Sequence, residues 1–218
     1  MNYPSLTILT LASCLFASSA GAATIFRIGN IGTGAGANNW PMGEPPASAI
    51  DGVGTTKYLN FGEQNTGYIF TLTTGSATAT GIKFTTANDA PERDPASYRL
   101  LGSNTATAST TAGTIYDDSN FTQISTGALS LPATRLTAGG DVTFANATAY
   151  RTFLLIFPTV NNSATANSMQ IGEAMIQTAA GNLGNLGIIA GGQVPEPSAM
   201  GLLFLSALGL ISKRRRQA

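Results

Sequence analysis

The chain contains no histidine, and Cys14 is its only cysteine. Ser-His-Asp and Cys-His catalysis are therefore excluded, as is any His-ligated zinc or iron site. What remains for chemistry is carboxylates, amides, hydroxyls and aromatic rings. The densest run of charge is residues 88–94, Asn-Asp-Ala-Pro-Glu-Arg-Asp. A polar ligand could use it, and local salt bridges and turn bonds would also account for it. Trp40 is the only tryptophan and sits in the polar loop Asn38-Asn39-Trp40-Pro41. Its ring could stack on a sugar, or close one edge of the core. Tyr58 and Phe121 read as core positions. A glycosidase with two carboxylates is the weakest reading, because acidic residues are sparse in a small domain.

These side chains have to be carried by strands. Segments 24–28, 58–61, 68–72, 81–85, 97–101, 122–126, 141–144, 152–157 and 169–177 are short and rich in β-branched and aromatic residues. Gly, Asn, Asp, Ser and Thr punctuate them. In 68–72 every other side chain is large and apolar, the pattern of a strand with one buried face. Residues 153–157, Phe-Leu-Leu-Ile-Phe, are apolar throughout, which predicts a central strand covered on both faces. No window between the two ends of the chain shows sustained helical periodicity. The expectation is an all-β fold, with small polar loops at 33–39 and 105–111. Residues 179–193 are Gly-rich and read as a flexible linker.

The two ends read as addresses. Residues 6–17 are apolar and lead to Ala20-Gly21-Ala22, an A-x-A cleavage site, so residues 1–23 form a secretory signal peptide. Leu11-Ala12-Ser13-Cys14 also matches a lipoprotein box, the alternative being an inert cysteine in a discarded signal. A mature chain beginning near Ala23 or Thr24 would hold no cysteine and form no disulfide, even in an oxidising compartment. The formal net charge is zero, with eleven basic and eleven acidic residues. Residues 194–218 hold four of the former and one of the latter, leaving seven basic against ten acidic and a net charge of −3. Nothing in that balance suggests a nucleic-acid partner. The stretch 24–178 is one domain's worth of chain.

The tail carries a first resemblance. Val194-Pro195-Glu196-Pro197-Ser198 precedes an apolar run over 199–211, then Lys213-Arg214-Arg215-Arg216. That run is short of the ~20 residues that span a bilayer comfortably, and the basic cluster should stay cytoplasmic. Residues 194–218 resemble the PEP-CTERM sorting signal. The resemblance implies export by way of signal peptidase, a transient hydrophobic helix in the inner membrane of a Gram-negative bacterium, and exosortase reading Pro195, Glu196 and Pro197. Display at the cell surface or release outside would follow tail processing. A plain anchor that is never cleaved is the alternative.

Three further segments carry a second resemblance. They are Pro46-Ala47-Ser48-Ala49-Ile50-Asp51-Gly52-Val53-Gly54-Thr55-Thr56-Lys57-Tyr58, then Asp94-Pro95-Ala96-Ser97-Tyr98-Arg99-Leu100-Leu101-Gly102-Ser103-Asn104 with Phe121-Thr122-Gln123-Ile124 beyond it, and Tyr150-Arg151-Thr152-Phe153-Leu154 leading to Met169-Gln170-Ile171-Gly172-Glu173. In order and spacing they resemble the discoidin, or coagulation-factor type-C, galactose-binding-like family. The family fold is a β-sandwich jelly roll, and many members bind carbohydrate. The resemblance also implies a structural Ca2+ held by Asp51, Thr56, Glu173 and loop carbonyls, a donor set that suits a hard cation. The plainer reading makes Asp51 a turn residue and Glu173 a solvated strand charge. The resulting expectation is a non-catalytic exported module that binds exopolysaccharide or cell-surface glycan. A structural matrix or biofilm protein without a specific ligand is the alternative.

Overall fold

The computed structural model of the chain describes residues 25–30, 40–106 and 116–183. The expected signal peptide, the expected loop at 33–39, most of the one at 105–111, most of the linker, and the sorting tail with the hydrophobic helix expected there lie outside them. Within them the chain is a β-sandwich of jelly-roll type. Its strands are β1 (Ile25–Asn30), β2 (Tyr58–Asn60), β3 (Thr66–Thr71), β4 (Ala79–Thr85), β5 (Ser97–Ser103) and β6 (Tyr116–Asp117). They continue as β7 (Thr122–Ala128), β8 (Ala138–Thr143), β9 (Thr152–Phe157), β10 (Met169–Ile171), β11 (Glu173–Thr178) and β12 (Gly181–Asn182). Two short 3-10 turns, η1 (Pro46–Ala49) and η2 (Pro91–Arg93), are the only helical elements among the described residues.

One sheet has the order β6-β1-β3-β9-β5-β7 and the other β12-β11-β4-β8, while β2 and β10 pair separately. Only β1 with β3 is parallel. The core lies between the sheets. Tyr68 and Phe70 of β3, Phe153, Leu155 and Phe157 of β9, and Tyr98 and Leu100 of β5 meet Ile82 and Phe84 of β4 and Ala174 and Ile176 of β11. Burying each large side chain contributes about 1.5–3 kcal/mol. The rings are offset or edge-on rather than face to face, as between Phe84 and Phe157, 6.4 Å apart at 63°.

The central strand β9 is buried on both faces, as its unbroken apolar sequence predicts. Phe153, Leu155 and Phe157 enter the main core, while Leu154 and Ile156 join Ile69 and Leu101 in a second, smaller cluster. The strand β3 departs from its expected single buried face. Every residue of it is buried, because it lies inside the sheet between β1 and β9 and Ile69 belongs to the second cluster. A Cβ on Gly67 would sit 1.9 Å from the Leu155 carbonyl oxygen, and its φ is +146°. Only glycine allows β3 to approach β9 there.

Two other departures have physical causes. The single strand expected over 169–177 is two strands in different sheets. They divide at Gly172, where a Cβ would meet the Thr86 carbonyl oxygen at 2.7 Å. The Gly172 amide donates to the Thr85 carbonyl at 2.9 Å, so the chain crosses from β2's partner to β4's partner without a loop. The domain also runs past residue 178. β12 pairs with β11, and Leu183 is buried in the main core, so residues 179–183 belong to the sandwich rather than to the linker.

Candidate functional site

Asp51 and Thr56 face each other across the loop between η1 and β2. Gly52, at φ +73°, turns this loop tightly. The Asp51 carboxylate accepts from the Val53 amide at 2.8 Å. The Thr56 hydroxyl lies 3.0 and 2.9 Å from the two Asp51 oxygens and 2.8 Å from the Val53 carbonyl oxygen. A hydroxyl has one proton, so three acceptors around it are more than it can satisfy. Oxygen atoms therefore crowd this loop around one hydroxyl.

Glu173 meets this loop from the start of β11. It opens β11 opposite Thr85 and is only 5% exposed. Both of its carboxylate oxygens are buried without a hydrogen-bond partner. Burial pushes this carboxyl up to about 8, and the Asp51 carboxyl beside it acts in the same direction. The Gly52 and Val53 amides pull weakly the other way, without closing hydrogen bonds. Tyr68 lies close by. Its hydroxyl donates to the Ala174 carbonyl, and burial first, then the Glu173 charge, raises its pKa well above the ordinary phenol value. Among the described residues neither Asp51 nor Glu173 forms an ion pair. A buried unpaired carboxylate is costly to leave so. The fold thus brings Glu173 to Asp51 and Thr56, which lie more than a hundred residues before it in sequence. Among the described residues no third acidic side chain joins them. Any further donors there would be loop carbonyls, of which Val53 already faces inward.

The charged loop over 88–94 is held by internal pairs. Lys57, next to Thr56, reaches Asp89 at 2.8 Å, Glu44 at 3.5 Å and the Gln170 side-chain oxygen at 3.1 Å. The hydrogen bond from Lys57 holds the Asp89 carboxyl below its usual range. Gln170 in turn donates to the backbone carbonyls of Asp89 and Ala90. Asp94, 1% exposed, takes both nitrogens of the Arg135 fork at 2.6 and 2.7 Å. Salt bridges and turn bonds therefore account for most of this cluster. Arg93 differs, since its Nε is buried with no partner.

Trp40 is not a binding platform. It is 5% exposed, lies in the main core, and meets Tyr58 edge-on at 6.4 Å. The rim-closing alternative describes it, because its flanking polar loop leaves the ring nowhere apolar to go but inward. Tyr58 is fully buried, as expected, and Phe121 packs on the second cluster. Among the described residues the exposed large aromatic is Phe61, at 57%. It follows β2 on a turn fixed by Gly62 N–H to Asn60 Oδ1 at 2.8 Å and by left-handed Glu63 and Asn65 at φ +61° and +50°. Non-glycine residues seldom adopt that conformation without support from their surroundings. The Asn65 amide donates to Pro158, and Asn161 and Asn162 bond to Asp94 and Glu92. The Phe61 turn and the 88–94 loop thus flank the same segment at one end of the sandwich. The sequence signal for this was available in Asn60-Phe61-Gly62, an aromatic placed directly before turn residues.

Residues 193–216 match the PEP-CTERM protein-sorting motif. The chain carries a PEP-CTERM sorting motif. This motif marks an exported protein processed at the cell envelope, and it contains Pro195, Glu196, Pro197, Lys213, Arg214, Arg215 and Arg216. No curated protein matches the chain. Among solved structures it is similar to the family 32 carbohydrate-binding module of Clostridium perfringens NanJ in complex with galactose. There the identity is 14% and the TM-score 0.40, over 63% of this chain and 87% of that one. It is also similar to the module CBM62 from Clostridium thermocellum Xyl5A, at 21% identity and TM-score 0.43, over 73% and 95%. A chitosan-binding module from a Paenibacillus chitosanase/glucanase shows 18% identity and TM-score 0.36, over 67% and 96%.

Proposed function

We propose that this PEP-CTERM chain is an envelope-displayed, non-catalytic glycan-binding module of a Gram-negative bacterium, with its binding face at the sandwich end that carries Phe61. The observation that supports it is an exposed aromatic ring, the only one among the described residues, on a turn held by its own backbone and side-chain bonds. Such a ring offers a sugar a stacking surface without an ordering cost. The loop over 88–94, with exposed Asp89 and half-buried Glu92, adds polar groups at that end. Exopolysaccharide made by the same cell is the proposed ligand.

The frame of this module is proposed to hold one structural Ca2+ through Asp51, Thr56, Glu173 and loop carbonyls. The buried, partnerless Glu173 carboxylate supports that reading, since a cation would supply the charge that the fold withholds. Bound there, the ion would tie the loop before β2 to the start of β11 in a domain without disulfides.

Retention of the purified protein on the producer's exopolysaccharide tests the glycan reading. The wild type should be retained and Phe61→Ala should lose most of that retention with an unchanged melting temperature. Equal retention of the two proteins would remove Phe61 from the site. Conversion of the polysaccharide into smaller oligosaccharides would overturn the non-catalytic reading.

A further inference from the structure

Three Asn-x-Ser/Thr triplets lie among the described residues: Asn120-Phe121-Thr122, Asn146-Ala147-Thr148 and Asn161-Asn162-Ser163. In an exported protein such a triplet is an acceptor for asparagine-linked glycan only where the amide nitrogen and the hydroxyl are both accessible. The structure separates the three. Asn146 is half-buried. Its amide nitrogen donates to the Ala79 carbonyl at 3.1 Å and the Thr148 carbonyl at 3.0 Å, and its oxygen accepts from the Thr148 amide at 3.0 Å. Asn161 is exposed, but its amide nitrogen is bonded to the Pro91 carbonyl at 3.1 Å.

Asn120 is exposed and its side chain has no hydrogen-bond partner. Thr122, which opens the edge strand β7, is also exposed with its hydroxyl unengaged. The turn that presents them is anchored on both sides. The Phe121 amide donates to the Asp118 carbonyl at 3.1 Å, and the Phe121 ring packs on the second apolar cluster. The Asp118 carboxylate pairs with Arg99 at 3.0 Å. This leaves Asn120 at the apex of a turn held in place on both sides. Thr122 pairs with Gly102, near the far end of β5 from Ser97, so the turn lies at the opposite end of the sandwich from Phe61.

We propose that Asn120 is an N-glycosylation acceptor during export. The donor class is a saccharide linked to a membrane lipid through a diphosphate, presented by an envelope transferase. The Asn120 amide nitrogen forms a bond to the anomeric carbon as the bond from that carbon to the diphosphate oxygen breaks. The lipid diphosphate leaves with the electron pair, and the amide gives up one proton to a base on the transferase. The Thr122 hydroxyl is the group that a transferase reads to position the amide. A glycan at this position would stand clear of the proposed binding face and would cover the exposed edge of β7.

Mass analysis of the tryptic peptide spanning residues 100–135, from the full protein recovered from its producing bacterium, tests the assignment. A saccharide increment is expected on Asn120. It should vanish in Asn120→Gln and in Thr122→Val and persist in Asn146→Gln and Asn161→Gln, with melting temperatures of the two surface variants unchanged. An unmodified peptide in the wild-type protein, or an increment that survives Asn120→Gln, would overturn the proposal.

Discussion

The Asp51 and Glu173 carboxyl groups lie against each other at the start of β11, and no basic side chain among the described residues stands between them. Two acidic groups, one of them buried, oppose the folded state unless a cation joins them or a proton stays. The proposed Ca2+ turns this local liability into a link between a loop and a strand that are more than a hundred residues apart.

Removing the ion should therefore loosen the whole domain. A ligand that binds only the folded state stabilises it by about 2.7 kcal/mol at a hundredfold excess over its Kd. At roughly 2–4 °C per kcal/mol for a chain of this size, chelation should lower Tm by about 5–10 °C. Glu173→Gln should abolish that response. In chelator above pH 8, where the Glu173 carboxyl is ionised, the variant should be the more stable protein by ~1–3 kcal/mol, because a neutral amide replaces a buried unpaired carboxylate. In calcium the order should reverse. Differential scanning calorimetry with and without EDTA reads both. Identical curves for all four samples would dismiss the ion.

Arg135 should matter more for stability than its surface position suggests. It satisfies both oxygens of Asp94, which is almost fully buried. Truncating one partner of a buried pair strands the other and costs about 3–5 kcal/mol. Arg135→Ala should lower the urea midpoint accordingly, whereas Lys83→Ala should change it by under about 0.5 kcal/mol. Lys83 pairs with Asp141 at 3.6 Å with both side chains about half exposed, the setting in which ion pairs contribute little. A loss of similar size in the two variants would show that the Arg135 fork is solvated after all.

The two aromatic candidates should separate stability from binding. Trp40→Ala removes a ring from the core and should cost about 3–5 kcal/mol. Trp40→Phe should cost much less, since it also deletes an indole N–H that is buried without a partner. Phe61→Ala should leave the urea midpoint unchanged within roughly 0.5 kcal/mol. If Phe61→Ala unfolds the domain and Trp40→Ala does not, their assignments to face and core are exchanged.

Strand content was legible because it is written locally. The apolar run 153–157 has only one comfortable place, between two covered faces, and the structure puts it there. The grouping of Asp51, Thr56 and Glu173 came through the resemblance, because nothing local ties residue 51 to residue 173. The break at Gly172 was not legible. Its cause is the approach of a carbonyl from β4, a contact made only in the folded chain. The sequence left Trp40 open between platform and core, and gave Phe61 no role, for the same reason. Both are aromatic residues beside turn residues, and which one turns inward depends on the rings and sheets that close over it.

The sorting motif makes a prediction independent of the sandwich. If Pro195, Glu196 and Pro197 are read by exosortase, the protein recovered from outside the inner membrane should lack Lys213, Arg214, Arg215 and Arg216. Intact-mass analysis should then give a chain truncated near the motif at one end and near Ala23 at the other. Replacing Pro195, Glu196 and Pro197 together with Ala should leave the full tail in place and shift the protein to the inner-membrane fraction. The apolar run before the basic cluster is shorter than the ~20 residues of a comfortable span. The unprocessed variant should accordingly be held weakly and be released by detergent at low concentration. A wild-type protein outside the membrane that still carries Arg214 would sink the processing step, and an unprocessed wild type in the membrane would make the tail a permanent anchor.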